Sequence, residues 1–219
     1  ITEPELIKDI LVKDFTSFPN HRFFSGGPAF DTNLFNARDE DWKRIRNVVS
    51  PTFSSGKLRN YASTINDCID TFFANLDKIV STENVTDMKE NFGSFTLDVI
   101  SNCAFGIKVD SLNNPQHPMI VNARNFMKPT WRMTFVFTFQ NIAKKFKISS
   151  IPKSVDRFWA NLTQKLVNER RQNYEANNTN NSLNAKKKKF NDFLQLLVEA
   201  ENENAKHGEK SLSMQEMIG

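Results

Sequence analysis

The sequence predicts a mainly α-helical chain, on three observations. Only 7 Gly and 8 Pro interrupt 219 residues, so breaks are few. Apolar residues recur mostly at the 3-, 4- and 7-residue spacings of a buried helix face. No segment alternates apolar and polar residues with the two-residue period that a half-buried strand needs.

Each element has its own signals. A first helix is expected over 4–14: Thr2-x-x-Glu5 has the form of a capping box, Pro4 suits a first turn, and Leu6, Ile7, Ile10 and Leu11 form a face. Residues 16–38, with Pro19, Gly26, Gly27 and Pro28, read as a long loop; loops of that length in compact domains are usually functional or mobile. A helix over 39–49 opens on Asp39, Glu40 and Asp41 and turns basic afterwards, which complements its dipole, and Pro51 ends it.

Leu58, Tyr61, Ile65, Ile69, Phe72, Leu76 and Ile79 mark a long helix over 57–80, and another over 87–105 closes at Gly106. Pro129 separates helical pieces at 118–127 and 131–146, and 153–175 buries Val155, Phe158, Trp159, Leu162, Leu166 and Val167. The polar stretch from Tyr174, ending in Lys186–Lys189, reads as a solvated linker. A helix over 190–203 follows. Ser213-x-x-Glu216 is a second capping box, announcing a helix with almost no body before Gly219. The expectation is therefore one incomplete domain over 1–219, the first half of a larger fold. Its uncovered apolar faces should promote association when the chain is isolated.

Hydrophobic residues make up 39% and charged residues 25%, with 20 Phe against 2 Tyr, so aromatics carry much of the core. The net charge of +4 is too small to argue for nucleic acid. It suits an anionic membrane surface or an acidic partner equally well. Cys68 and Cys103 lie in helical apolar patterns with no ligand-spaced neighbour, as two reduced thiols would. The longest apolar stretch, Met133–Phe139, is far short of the ~20 residues of a spanning helix. His21, His117 and His207 are isolated from one another, and no metal, phosphate-loop or nucleophile motif occurs, so no catalytic or metal-ligating residue is expected here.

Trp42-Lys43-Arg44-Ile45-Arg46 is the informative element. Trp42 and Arg46 stand four apart and share a helix face. Both offer N–H donors and no acceptor, which suits a carboxylate. From the pair alone, a Trp anchoring a surface helix beside a solvated Arg is the favoured reading, because W-x-x-x-R is a weak motif.

The surroundings decide between them. Ahead lies Asp14-Phe15-x-x-Phe18-Pro19-Asn20-x-Arg22, and Ser50-Pro51-Thr52-Phe53-Ser54-Ser55-Gly56-Lys57-Leu58 follows. Then come Asp98-Val99-Ile100-Ser101-x-Cys103-Ala104-Phe105-Gly106, Asp110-Ser111-Leu112-Asn113-Asn114-Pro115, Phe190-x-Asp192-Phe193-Leu194-Gln195-Leu196-Leu197 and Ser213-x-x-Glu216. In this order the series resembles the microsomal cytochromes P-450, most closely the xenobiotic-metabolising branch with the vertebrate family-3A enzymes and arthropod relatives, over essentially the whole chain.

The resemblance implies a partial P-450 fold, helices B to H plus the start of the long central helix. It implies a haem-thiolate monooxygenase that inserts one oxygen atom from O2 into an apolar small molecule, with haem b as cofactor and electrons from an NADPH-dependent flavoprotein reductase. Trp42 and Arg46 then bond a haem propionate, and His21 stands where relatives often carry a second Arg. Phe24, Leu34 and Phe35 belong to the first substrate-recognition segment, Phe126 and Met127 to a second. The 133–152 region falls where the family's roof meets the bilayer on the cytoplasmic face of the endoplasmic reticulum. Lys43, Arg44, Lys57 and Arg59 suit an acidic reductase. The iron-ligating Cys, the acid-alcohol pair and the Glu-x-x-Arg pair are expected beyond Gly219, so the chain alone is expected to be inactive. An inactive truncated product, or a basic helical module binding a partner or nucleic acid, are the alternatives.

Overall fold

The computed structural model describes residues 2–20, 25–82, 85–178, 192–206 and 212–218. No strand occurs among them, and about 75% of them are helical, as expected. Ten α-helices are described: α1 (Pro4–Lys8), α2 (Asp39–Val49), α3 (Ser55–Thr82), α4 (Met88–Phe105), α5 (Pro118–Met127), α6 (Trp131–Thr138), α7 (Gln140–Lys145), α8 (Lys153–Asn178), α9 (Phe193–Lys206) and α10 (Met214–Ile218).

Three local departures from expectation have physical reasons. The Thr2-x-x-Glu5 capping box does not form. Glu3, not Thr2, is the N-cap and makes no side-chain cap bond; the helix starts at Pro4, so Glu5 stands at its second position and not at the third that the box needs. The helix then widens into a π-helical turn over Asp9–Lys13. The piece expected over 131–146 breaks again at Phe139, where the backbone leaves helical geometry (φ −116°, ψ 53°). Finally, α8 runs to Asn178, into the expected linker. The Lys186–Lys189 run lies outside the described residues.

The main core joins α2, α8, α9 and α10 through Ile45, Val48, Leu166, Val167, Leu194, Leu197, Val198 and Met217. A second cluster of Val109, Met119 and Ile120 packs on Leu97, Phe158 and Trp159, tying α5 to α4 and α8. Between α3 and α4, Phe72 meets Phe92 and Phe95 at centroid distances of 5.4 and 5.1 Å.

Polar joints fix these helices in place. Arg170 of α8 and Asp192, 2% and 3% exposed at their side chains, form an ion pair at 2.8 Å. Arg170 also donates to the Phe105 carbonyl at the end of α4. The other Asp192 oxygen accepts the Gln195 N–H at 2.9 Å and caps α9. Gly106 ends α4 in the left-handed region (φ 66°), with its amide returned to the Asn102 carbonyl. A Cβ there would stand 2.6 Å from the Asp192 carboxylate. One residue type is thus required by both the turn and the packing. Asp98 likewise receives the Ser111 N–H and hydroxyl, and Asp110 receives the Asn75 and Asn113 amides.

Cys68 is buried and Cys103 half-buried, both free thiols, as expected. Asn102 Nδ2 lies 3.8 Å from Cys68 Sγ. Burial pushes the Cys103 thiol above its ordinary pKa.

Candidate functional site

The helix α2 places Trp42 and Arg46. Ile45 and Val48, 4% and 7% exposed, lock one side of it into the core. Trp42 is half-buried, its ring 5.5 Å from that of Phe15, so the segment after α1 supports it. Arg46 is exposed.

The neighbouring cations differ sharply. Lys43 pairs with Glu40 at 2.8 Å. Arg44 pairs with Asp41 at 3.4 Å and, closely, with Glu216 at the start of α10. Among the described residues, no carboxylate pairs with Arg46 and no side chain accepts the Trp42 indole N–H. Two adjacent donor groups on one helix, without protein acceptors there, fit a carboxylate-bearing group such as a haem propionate. His21 lies outside the described residues.

The loop ahead of α2 is anchored rather than a free wall. Asp31 accepts the Gly26 and Gly27 amides at 2.8 and 3.3 Å and the Ser25 hydroxyl at 3.1 Å. Gly27 has φ 140°, and a Cβ on it would stand 2.8 Å from Asp156 Oδ1. Burial raises the Asp156 carboxyl pKa, even though the Ala29 and Phe30 amides bond to it.

Of the expected substrate residues, Phe35 is 57% exposed and Leu34 is half-buried against the main core. Phe126 is 36% and Met127 75% exposed at the end of α5. Phe30 meets Phe126 at 5.8 Å, which brings the two expected recognition segments together. Phe24 lies outside the described residues.

The 133–152 region divides. Around α6 and α7, Trp131 (76%) just ahead of the region, Phe139 (49%) and Phe146 (68%) are exposed, whereas Val136 and Ala143 turn into the protein. The end of the region is not: Ser149, Ser150 and Ile151 are buried. The Ser150 amide and hydroxyl donate to the Ser25 carbonyl, and the Ile151 amide donates to that of Gly26. That part of the expected membrane face is corrected to a packing contact, made because backbone groups in a short connector must find partners. No described helix is long and apolar enough to cross a membrane.

A cleft of about 250 Å³ along α3 and α4 is lined by Asp67, Cys68, Asp98, Asn102, Lys108 and Asp110, none of them an expected site residue. Among the described residues, no group of three or more His, Cys, Asp or Glu is placed to hold a metal ion.

Sequence reasoning missed three ion pairs, Arg44–Glu216, Arg170–Asp192 and Arg171–Glu201. Each joins residues distant in sequence. Only the capping roles of Glu216 and Asp192 leave a local signal.

The Cytochrome P450 family model matches residues 1–218. The chain is 34% identical over 226 aligned residues to Cytochrome P450 3A56 of Fundulus heteroclitus, covering 100% of the chain and 43% of that protein. It is 33% identical to Cytochrome P450 3A29 of Sus scrofa, again over 100% of the chain and 42% of the relative. Against Cytochrome P450 3A5 of Homo sapiens it is 32% identical, over 97% of the chain and 41% of the relative. The chain therefore spans under half the length of these relatives. Trp42, Arg46 and the loop before them sit in a chain that belongs to the cytochrome P450 family.

Proposed function

We propose that the chain forms part of a haem-thiolate monooxygenase acting on an apolar small molecule with O2 and reductase-supplied electrons. Beyond family membership, one observation carries the assignment of the site. Trp42 and Arg46 present N–H donors from one helix without protein acceptors among the described residues, whereas Lys43 and Arg44 beside them are paired. Arg46 and Trp42 would bond a haem propionate, with His21 as a further donor. The haem, when bound, supplies the oxygen chemistry; the protein supplies orientation and access.

Phe24, Leu34 and Phe35 with Phe126 and Met127 would form the apolar wall. The Phe30–Phe126 contact and the exposure of Phe35 support that reading. Of the cations suited to an acidic reductase, Lys57 and Arg59 remain the better candidates, since Lys43 and Arg44 already have carboxylate partners. The exposed aromatics Trp131 and Phe137 of α6, with Phe139 and Phe146 on either side of α7, suit contact with the cytoplasmic face of the endoplasmic reticulum membrane. Neither Cys68 nor Cys103 is assigned to the iron, and the chain alone is inactive on this reading.

The test is Arg46→Ala in the full-length, haem-loaded protein. Loss of one charge-assisted bond should speed haem loss by about tenfold or more, with a weaker carbon-monoxide difference spectrum. Unchanged haem content and an unchanged spectrum in both Arg46→Ala and Trp42→Ala would overturn the assignment.

A further inference from the structure

Three consecutive residues of α10 reach three different parts of the molecule. The Gln215 carbonyl accepts the Thr32 hydroxyl at 2.8 Å, from the loop expected to wall the substrate. The Glu216 carboxylate takes the Arg44 guanidinium of α2 in a two-point contact. The Met217 side chain is 7% exposed and buried with Ile45, Val48 and Leu166. A helix turns about 100° per residue, so one turn can hold three directions at once.

We propose that the first turn of α10 is a joint that registers α2 against the substrate loop, with Arg44 and Thr32 as positioning residues. The inference rests on the assignment of Trp42 and Arg46 to a haem propionate. Arg44 lies two residues from both, nearly opposite them around the helix. Its pairing with Glu216 therefore fixes the rotation that aims the two donors. Such groups must be held to within about 0.5 Å to act together.

The pair is well placed for that task. Its side chains are only 22% and 17% exposed. Glu216 is itself held, since its Oε2 accepts the Ser213 amide at 2.8 Å in a formed capping box, with the Glu216 amide returned to Ser213 Oγ. Burial pushes the Glu216 carboxyl pKa up, but the bonds from Arg44 and Ser213 outweigh it and hold the group charged, below its ordinary value. Thr32 completes the joint from the loop side, where its neighbour Asp31 already ties Ser25–Gly27.

The experiment uses the full-length, haem-loaded protein with two readouts: the rate of haem transfer to an excess of apomyoglobin, and the Soret shift on titration with an apolar ligand. Arg44→Gln should raise the haem-loss rate about fivefold, and Arg44→Lys should restore most of it. Arg44→Gln with Glu216→Gln should be no faster than the worse single variant. Thr32→Val should leave haem loss unchanged and weaken the ligand-induced shift. Asn75→Ala, which breaks the remote Asp110–Asn113 network, should lower stability and move neither readout. If Arg46→Ala accelerates haem loss and Arg44→Gln does not, the joint is refuted and the propionate assignment stands. If neither accelerates it, both fall. Additive effects of Arg44→Gln and Glu216→Gln would also refute the joint, and Arg44→Lys keeps the test open if Arg44→Gln fails to load haem.

Discussion

Replacing Asp192 by Ala removes one partner of the most buried charge pair described here. Arg170 is 2% exposed and would lose the Asp192 carboxylate at 2.8 Å, while it keeps the Phe105 carbonyl and the edge of Glu169, 3.8 Å away. Breaking a buried pair from one side typically costs about 3–5 kcal/mol. Asp192 also caps α9 through the Gln195 amide at 2.9 Å, and losing a cap adds about 1 kcal/mol. The two effects together give roughly 4–6 kcal/mol. Asp192→Asn keeps an acceptor for the cap and should fall well short of that loss. Replacing both partners, Arg170→Met with Asp192→Leu, should be milder than Asp192→Ala, since no charge is left buried. Urea unfolding of the full-length protein, followed by far-UV circular dichroism, measures all three. A loss below about 1 kcal/mol for Asp192→Ala, the size of a surface pair, would refute the view that this joint holds α4, α8 and α9 together.

Gly106→Ala should also destabilise, by at least the ~1–2 kcal/mol of a left-handed L-residue, with more from the 2.6 Å approach to Asp192; thermal unfolding reads it, and a neutral result would contradict the geometry. Phe35→Ala should leave the melting curve and haem spectrum nearly unchanged, because the ring is 57% exposed, yet alter the product distribution. A collapse of folded protein would place Phe35 in the core instead. The Glu216 carboxyl, below its ordinary 4.5, contributes stability that is fully present above that value and disappears as pH falls through the lowered pKa. The stability gap between wild type and Glu216→Gln should therefore be complete at neutral pH and close in acid. A gap that widened in acid would reverse the sign of that interaction.

Where the sequence was most legible, local physics sufficed. Helix periodicity announced α2, α3, α4, α5, α8 and α9 because each must bury one stripe. Ser213-x-x-Glu216 formed its capping box because both partners lie within one turn. Thr2-x-x-Glu5 satisfied the same pattern and did not cap, because the helix starts one residue later, with Glu3 as its N-cap. The shared face of Trp42 and Arg46 was also readable, since four residues make about one turn. Several motifs behind the family resemblance proved to be joints that hold a helix to the segment packed on it. Asp98 meets Ser111, and Asp192 meets Arg170 and the end of α4.

The sequence by itself thus determined the helical class, most helix positions, the donor pair on α2 and the family. Only the tertiary structure decided which cations have partners. Lys43, Arg44 and Arg46 look alike in one dimension, yet Arg44 is tied to Glu216 and Arg46 has no carboxylate partner among the described residues. It also decided that Ser149–Ile151 is buried against Ser25 and Gly26 while Phe137, Phe139, Ile142 and Phe146 before it stay exposed. The physical reason is range. Propensity, capping and periodicity act within a few residues of the chain, whereas burial and charge pairing depend on elements such as α2 and α10 that meet only after folding.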